Sequence, residues 1–234
     1  MEVDGERRES RLPGPQGRRL FAYLTIRRFD ALSRQDLAAA LWGEHLPASP
    51  EPALNALLSR LRAALAPVTL DGLQLVLPQG AWVDMEAARD AIHRAESSLA
   101  QQDWGRAWGA SQITLFTARR GFLAGDDLPW IAEIRRELES LHVCALEAYA
   151  EASLNVAGTE LATAERSARD LVARAPFRES GYRVLMAALA ARGNTAEALR
   201  VYDRLMRLLS DELGVIPSQQ TRTLHAQLLR SESN

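Results

Sequence analysis

The sequence contains no lysine, so all 28 of its basic side chains are arginines. A GC-rich coding bias explains such a composition, but the absence still has chemical consequences. A phosphate-binding loop, a Schiff base and a kinase-type site each depend on a lysine amine. These reaction classes are therefore excluded.

Cysteine and long apolar runs are scarce as well. The single cysteine, Cys144, has no partner within the chain for a disulfide. No apolar run approaches the roughly 20 residues that cross a bilayer. The charged stretch from Met1 to Arg8 also lacks the form of a signal peptide. Together these absences predict a cytoplasmic protein without a membrane partner.

Residue patterns that carry catalysis or bind metal are missing too. The four histidines are dispersed, and none stands at metal-ligand spacing from another or from Cys144. The chain has no Gly-x-Ser-x-Gly turn of the kind that exposes a nucleophilic serine. We therefore expect neither an enzyme nor a bound cofactor.

The length of 234 residues exceeds what one small core needs, which predicts two domains. Residues 1–83 carry ten arginines against nine acidic residues, and residues 84–234 carry eighteen against twenty-one. Neither part is strongly charged. Any binding of nucleic acid by the first part therefore depends on the placement of individual arginines.

Residues 1–83 read as three short helices followed by a β-hairpin. The helical patterns cover about 18–29, 33–42 with Ser33 as N-cap, and 50–65. Leucines repeat at helical spacing along the third pattern, at Leu54, Leu57, Leu58, Leu61 and Leu65. Two β-type runs then flank a turn at Asp71. This order predicts a winged helix-turn-helix with a small β-hairpin as its wing.

From Asp84 onward strand signals vanish, and seven consecutive amphipathic helices follow. Gly158 and Gly193 are 35 positions apart and Ala164 and Ala198 are 34 apart, close to the period of a tetratricopeptide repeat. The fold class is thus mainly α, with an all-α tetratricopeptide-like domain over residues 84–234. A plain helical bundle used for dimerisation or packing is the alternative. Five aromatic residues are expected to pack between the first helices of this domain: Trp104, Trp108, Phe116, Phe122 and Trp130.

Two sets of motifs, in the right order, resemble the Streptomyces antibiotic regulatory protein family. Residues 32–44 and 54–65 resemble its OmpR-type DNA-binding domain. The stretches that resemble its bacterial transcriptional activation domain are 130–136, 175–179, 196–202 and, most specifically, 208–217. The resemblance implies binding to promoter DNA at direct repeats and contact with RNA polymerase or its sigma subunit. Whether the protein forms a homodimer is left open.

In a winged helix the third helix lies in the major groove of double-stranded DNA and turns its polar face to base edges and phosphates. The candidate DNA-binding residues are Asn55, Ser59, Arg60, Arg62, Arg18, Arg19 and Arg34. We expect the first three to enter the groove and Arg62 to contact a backbone phosphate. The remaining three arginines stand near helix starts and are candidates for flanking phosphates.

Two other interpretations stay open. Only three residues precede the Asp4–Gly5 turn, the wing turn at residues 78–80 has no basic residue, and Glu51 stands at the entry to the third helix. Each of these features favours a protein-interaction scaffold with a degenerate winged helix. The other alternative is a ligand-controlled regulator that senses a small molecule in its helical domain.

Overall fold

The computed structural model describes residues 2–3, 6–7, 9–65 and 68–232. Within those ranges the chain is mainly α-helical, with ten α-helices and two short antiparallel hairpins. It divides into two compact units. The first unit is formed by Met1–Val83 and Phe122–Arg135, and the second by Asp84–Gly121 and Arg136–Asn234. The sequence predicts a single division after Val83. The structure differs in that residues 122–135 pack with the first unit.

The described residues of the first unit contain three complete α-helices, two hairpins and the start of a longer helix that begins at Pro129. β1 (Glu2–Val3) pairs with β2 (Glu6–Arg7), and the Asp4–Gly5 turn lies outside the described residues. The helices are α1 (Gly14–Ile26), α2 (Arg34–Trp42) and α3 (Pro50–Leu65). β3 (Thr69–Asp71) and β4 (Gln74–Val76) then pair antiparallel, with Leu70 opposite Leu75. The expected order of three helices and a hairpin is present, and residues 81–83 form no strand.

The boundaries of α2 follow from its local sequence. The backbone N–H of Asp36 donates to Ser33 Oγ at 3.1 Å, and the N–H of Ser33 donates to Asp36 Oδ2 at 2.8 Å. This reciprocal capping box satisfies donors at the helix start. The hydrogen bonds from the Ser33 side chain and backbone also lower the pKa of Asp36. Gly43 ends the helix with φ 57°, a conformation that glycine adopts without strain. The expectation that Ser33 caps α2 is confirmed.

Leucine side chains form most of the core of the first unit. The buried leucines are Leu12 just before α1, Leu20 and Leu24 from α1, Leu37 and Leu41 from α2, Leu54, Leu57, Leu58, Leu61 and Leu65 from α3, and Leu75 from β4. Burial of one such side chain contributes roughly 1.5–3 kcal/mol relative to exposure. The five leucines of α3 therefore fix the side of this helix that faces the core.

The segment 122–135 covers part of α1 and α2. Trp130 Nε1 donates to the carbonyl oxygen of Ala40 at 3.0 Å. The Trp130 ring makes edge-on contacts with Tyr23 and Phe122, at centroid separations of 5.1 and 5.8 Å. Arg135 Nε donates to the Phe122 carbonyl at 2.9 Å, which closes the segment on itself. The expectation that Phe122 and Trp130 pack between helices of the second domain is wrong, because both rings lie in the first unit.

The described residues of the second unit form helices joined by short turns and contain no strand. Its helices are α4 (Asp84–Ala100), α5 (Trp104–Ala118), the part of α6 (Pro129–Val156) from Arg136 onward, α7 (Leu161–Arg174), α8 (Glu179–Ala191), α9 (Thr195–Leu213) and α10 (Gln219–Glu232). α4 packs on α5, α7 on α8 and α8 on α9, and α10 contacts α8 and α9. Packing between consecutive helices is the arrangement expected of helix-pair repeats. No helix in the described part of the chain is long and apolar enough to cross a membrane.

Small residues allow the helices of the second unit to approach closely. Ala164 and Ala198, which indicated the repeat, are both fully buried. At Gly181 an added Cβ would lie 3.0 Å from Leu171 Cδ2, so α8 reaches α7 at this point without a side chain between them. Of the other aromatic residues, Trp108 packs against Tyr149 at 5.8 Å as expected. The Phe116 side chain is 62% exposed, contrary to expectation.

Candidate nucleic-acid interface

The exposed side of α3 carries four of the residues expected to bind DNA. Asn55, Ser59, Arg60 and Arg62 are all exposed, on the side opposite the buried leucines. Successive residues of a helix are turned by about 100°. Glu51, Asn55 and Arg62 consequently lie along one flank of the exposed face, Ser59 lies near its centre, and Arg60 lies on the other flank.

Arg34, the first residue of α2, bridges to the start of α3. Its Nε donates to Glu51 Oε2 at 2.8 Å, and its Nη2 donates to Asn55 Oδ1. The side chains of Arg34 and Glu51 remain 40% and 65% exposed. Two candidates that the sequence proposed separately, Arg34 and Asn55, are thus in contact. Glu51 joins them, and its spacing of four residues from Asn55 is the sequence feature that could have indicated it.

Arg62 connects α3 to the β3–β4 hairpin. Its Nη2 donates to the carbonyl oxygen of Gly72, in the hairpin turn, at 2.9 Å. Arg60 turns back along its own helix, where Nε donates to the carbonyl oxygen of Ala56 at 3.3 Å. A guanidinium has five N–H donors, so the terminal nitrogens of Arg60 stay available to an acceptor outside the protein. Arg62 serves the packing of the hairpin, and Arg60 faces outward.

Arg18 and Arg19 differ although they are neighbours. The Arg18 side chain is exposed, whereas that of Arg19 is only 18% exposed. Arg19 Nη1 donates to the carbonyl oxygen of Leu41, and its Nη2 pairs with Asp126. Because its charge is already paired inside the unit, this geometry does not favour the expected contact with a flanking phosphate.

The β3–β4 hairpin and the described residues after it, up to Val83, present apolar side chains and the exposed carboxylate of Asp71, but no cation. The side chains of Val76 and Trp82 are 47% and 65% exposed. Gln74 Nε2 donates to the Arg28 carbonyl oxygen at 3.1 Å, which ties the hairpin to the chain after α1. The Arg28 guanidinium stacks on the ring of Phe29, 4.2 Å from its centroid. Together with Arg62, the Gln74 contact holds the hairpin in place beside α3.

An ion-pair network joins three helices of the second unit. Glu165 accepts hydrogen bonds from Arg169 Nη2 at 2.8 Å and from Arg192, and Arg169 also reaches Glu197 at 2.6 Å. Burial by itself would raise the pKa of Glu165. The hydrogen bonds and charges of the two arginines outweigh that effect and lower its pKa. The network thus links α7 and α9 to Arg192, which directly follows α8.

Glu179, the first residue of α8, anchors the start of α10. Its carboxylate accepts from the Ser218 backbone N–H at 2.9 Å, from Ser218 Oγ at 2.7 Å and from the buried Thr221 Oγ1 at 2.6 Å. Burial would raise the pKa of Glu179, but these hydrogen bonds outweigh it and lower the pKa. Sequence reasoning missed this contact, since 39 residues separate Glu179 from Ser218.

A metal site would need several titratable side chains of the described residues to lie together. Among the described residues, no group of three or more histidine, cysteine, aspartate or glutamate side chains could hold a metal ion. His142 is buried, with 4% of its surface exposed. Burial, and then the charge of Arg174, lower the pKa of His142, which favours the neutral ring. His142 is a core residue of the second unit.

Relatives of this chain include known proteins that are named as regulatory proteins. The family described as bacterial transcriptional activator domain matches residues 83–229. The regulatory protein AfsR of Streptomyces coelicolor is 33% identical over 223 residues, which are 93% of this chain and 22% of AfsR. The transcriptional regulatory protein EmbR of Mycobacterium tuberculosis is 27% identical over 237 residues, which are 93% of this chain and 58% of EmbR. The chain thus spans about a fifth of the length of AfsR.

A solved structure shows the same fold. The structure of Mycobacterium tuberculosis EmbR in complex with a low-affinity phosphopeptide matches with a TM-score of 0.76 at 23% identity. The match covers 93% of this chain and 59% of the EmbR chain. The fold of this chain is therefore mainly α-helical, and its helices and strands are arranged as in EmbR. The chain belongs to the bacterial transcriptional activator domain family, and its resemblance to the Streptomyces antibiotic regulatory proteins is confirmed.

Proposed function

We propose that this chain is a sequence-specific DNA-binding transcription regulator that acts as an activator on promoter DNA. In this proposal α1, α2, α3 and the β3–β4 hairpin form a winged helix-turn-helix. The observation that carries it is the geometry of α3, which buries five leucines and turns Asn55, Ser59 and Arg60 away from the core. The regulatory names of the relatives support the same function.

The side chains on the two flanks of α3 suit different acceptors on DNA. Arg60 has free terminal N–H groups for the O6 and N7 edge of guanine or for a phosphate oxygen. Asn55 suits adenine, and Ser59 can donate to a phosphate. Arg62 Nη2 donates to the Gly72 carbonyl oxygen in the hairpin turn, and the other N–H groups of this guanidinium can bind a phosphate beside the wing. Arg18 is an exposed cation for a flanking phosphate.

The second unit supplies the activating contact in this proposal. The family match covers residues 83–229, nearly all of that unit. Stacked helix pairs present extended surfaces that bind other proteins. We assign RNA polymerase or its sigma subunit as the partner of this surface, with two copies of the chain on adjacent direct repeats of the promoter.

A binding experiment on the whole chain tests the proposal. A preferred site is selected from a pool of random duplexes, and the dissociation constant is then measured by fluorescence anisotropy over a series of salt concentrations. Release of counterions from Z phosphates gives a slope of about −0.9Z in a plot of log K against log salt. We expect a steep slope and a defined consensus site. A flat response without a consensus contradicts the proposal.

A protein-interaction scaffold is the second candidate, and one observation favours it. Arg19, Arg34 and Arg62 each donate hydrogen bonds to another part of the chain, which reduces the number of donors that each can offer to a phosphate. The hairpin adds no cation between residues 69 and 76. If this candidate is right, the whole chain has no salt-dependent affinity for duplex DNA.

A further inference from the structure

We propose that Glu51 reads a cytosine in the DNA site, with Arg34 as the positioning residue that holds its carboxylate. The inference rests on the proposed DNA-binding function and names a specificity determinant within it. The carboxylate accepts a hydrogen bond from the exocyclic N4 amine of cytosine in the major groove. Asn55 lies one turn further along α3 on the same flank and reads a nearby base pair.

One carboxylate oxygen of Glu51 has no hydrogen-bond partner among the described residues. Arg34 Nε binds Oε2 at 2.8 Å, and no other described residue forms a hydrogen bond with this side chain. The side chain is 65% exposed and belongs to the first turn of α3. Oε1 is therefore the oxygen to which no described group donates a hydrogen bond. Glu51 belongs to the N-terminal turn of α3, and in a helix-turn-helix the N-terminal residues of the recognition helix contact base edges.

The distance between Glu51 and Asn55 along the α3 axis is comparable to the distances between stacked base pairs. Four residues of an α-helix advance by about 6 Å along its axis. Base pairs are stacked about 3.4 Å apart. Glu51 and Asn55 are therefore placed to meet base pairs one or two steps apart.

The ion pair with Arg34 reduces the electrostatic repulsion between the Glu51 carboxylate and the DNA phosphates. An unpaired carboxylate would be repelled by the DNA backbone, whereas the guanidinium of Arg34 compensates its charge. The positive end of the α3 dipole adds to this compensation. Arg34 also donates to Asn55 Oδ1, so a single side chain orients both candidate base readers, and the Asn55 amide N–H groups have no hydrogen-bond partner among the described residues.

An acceptor-only group discriminates among the four bases. Cytosine presents an amine donor in the major groove, while guanine O6 and N7 and thymine O4 are acceptors that repel a carboxylate. Adenine offers an amine, but its neighbouring N7 is an acceptor. A glutamine has both a donor and an acceptor and suits the N6 and N7 edge of adenine. Replacement of Glu51 by glutamine therefore changes the base that is preferred.

The test is the selection of sites from random duplexes with the whole 234-residue chain as wild type and with its variants Glu51→Gln, Glu51→Ala and Arg34→Gln. We expect a cytosine preference at one position of the wild-type site. Glu51→Ala should reduce that preference by about 5- to 100-fold at that position alone. Glu51→Gln should shift it from cytosine towards adenine, and Arg34→Gln should weaken the preferences attributed to both Glu51 and Asn55.

The matched control is Glu44→Gln, which removes an exposed carboxylate from the first unit outside α3 and should leave the site unchanged. A Glu51→Gln protein that binds every sequence more tightly, with the same base preferences as the wild type, would show that Glu51 only repels DNA, and the inference would fall. A wild type without any salt-dependent affinity overturns the proposed function itself, so the two failures are distinguishable.

Discussion

Arg19 pairs with Asp126 inside the first unit although 107 residues separate them in the chain. The same unit holds Trp130 against Tyr23 and the carbonyl oxygen of Ala40. Residues 122–135 are thus part of the body that presents α3, and residues 84–121 form a helical hairpin inserted between the two pieces of that body in the sequence. The stability of the first unit depends on side chains that lie far beyond Val83.

Trp130→Ala should destabilise the first unit by about 2–3 kcal/mol. Full burial of a tryptophan would give roughly 3–5 kcal/mol, but Trp130 is only half-buried. Urea unfolding followed by circular dichroism measures the change. Trp82→Ala is the control, since Trp82 is 65% exposed in the same unit and its loss should change stability by less than about 0.5 kcal/mol. Equal effects of the two substitutions would refute the structural role of Trp130.

Arg60→Ala should weaken binding to the selected duplex by about 1–3 kcal/mol if Arg60 reads a base, and by less if it only touches phosphate. Anisotropy titrations at fixed salt measure this change. Arg200→Ala removes an exposed arginine from α9 in the second unit and should leave the affinity unchanged. Unchanged affinity in both Arg60→Ala and Arg62→Ala would exclude α3 as the reading helix.

Acid should destabilise the second unit through Glu179. Folding lowers the pKa of this carboxyl below its ordinary value of 4.5. The ionised carboxylate of Glu179 therefore stabilises the folded state relative to the unfolded state. Its contribution to stability is present above about pH 4.5 and is lost as the pH falls through the folded-state pKa. Urea unfolding between about pH 6 and pH 3 should therefore show a smaller decrease in Glu179→Gln than in the wild type.

The control for that experiment is Glu212→Gln, an exposed carboxylate at the end of α9. Its pH profile should match that of the wild type. If Glu179→Gln retained the full wild-type pH dependence, the hydrogen bonds from Ser218 and Thr221 would not stabilise the ionised carboxylate.

Two glycine substitutions should have effects of opposite sign. Gly181→Ala places a methyl group 3.0 Å from Leu171 and should destabilise the second unit by about 1–3 kcal/mol. Gly109→Ala lies within α5, where nothing is found within 4 Å of the added carbon, and should stabilise it by about 0.5–1 kcal/mol. Thermal unfolding of the two variants distinguishes them, and a stabilised Gly181→Ala would contradict the close approach of α7 and α8.

Much of the candidate interface was predictable because its signals are local. The leucine spacing of α3 identifies the buried side, and the exposure of Asn55, Ser59 and Arg60 follows from it. The bridge from Arg34 to Glu51 and Asn55 was not predicted. It depends on how the start of α2 meets the start of α3, and 17 residues separate Arg34 from Glu51.

The sequence by itself determined the helix boundaries that a cap or a breaker marks, since these signals act over a few residues. The helix predicted over about 18–29 instead spans Gly14–Ile26, because proline is tolerated in the first turn of a helix. Ser33, Gly43 and Pro50 each mark a boundary that the structure has. Only the tertiary structure decided the partners of Arg19, Phe122 and Trp130. A guanidinium or an aromatic ring is compatible with many partners, and the choice among them is made by whichever surfaces the packed helices bring together.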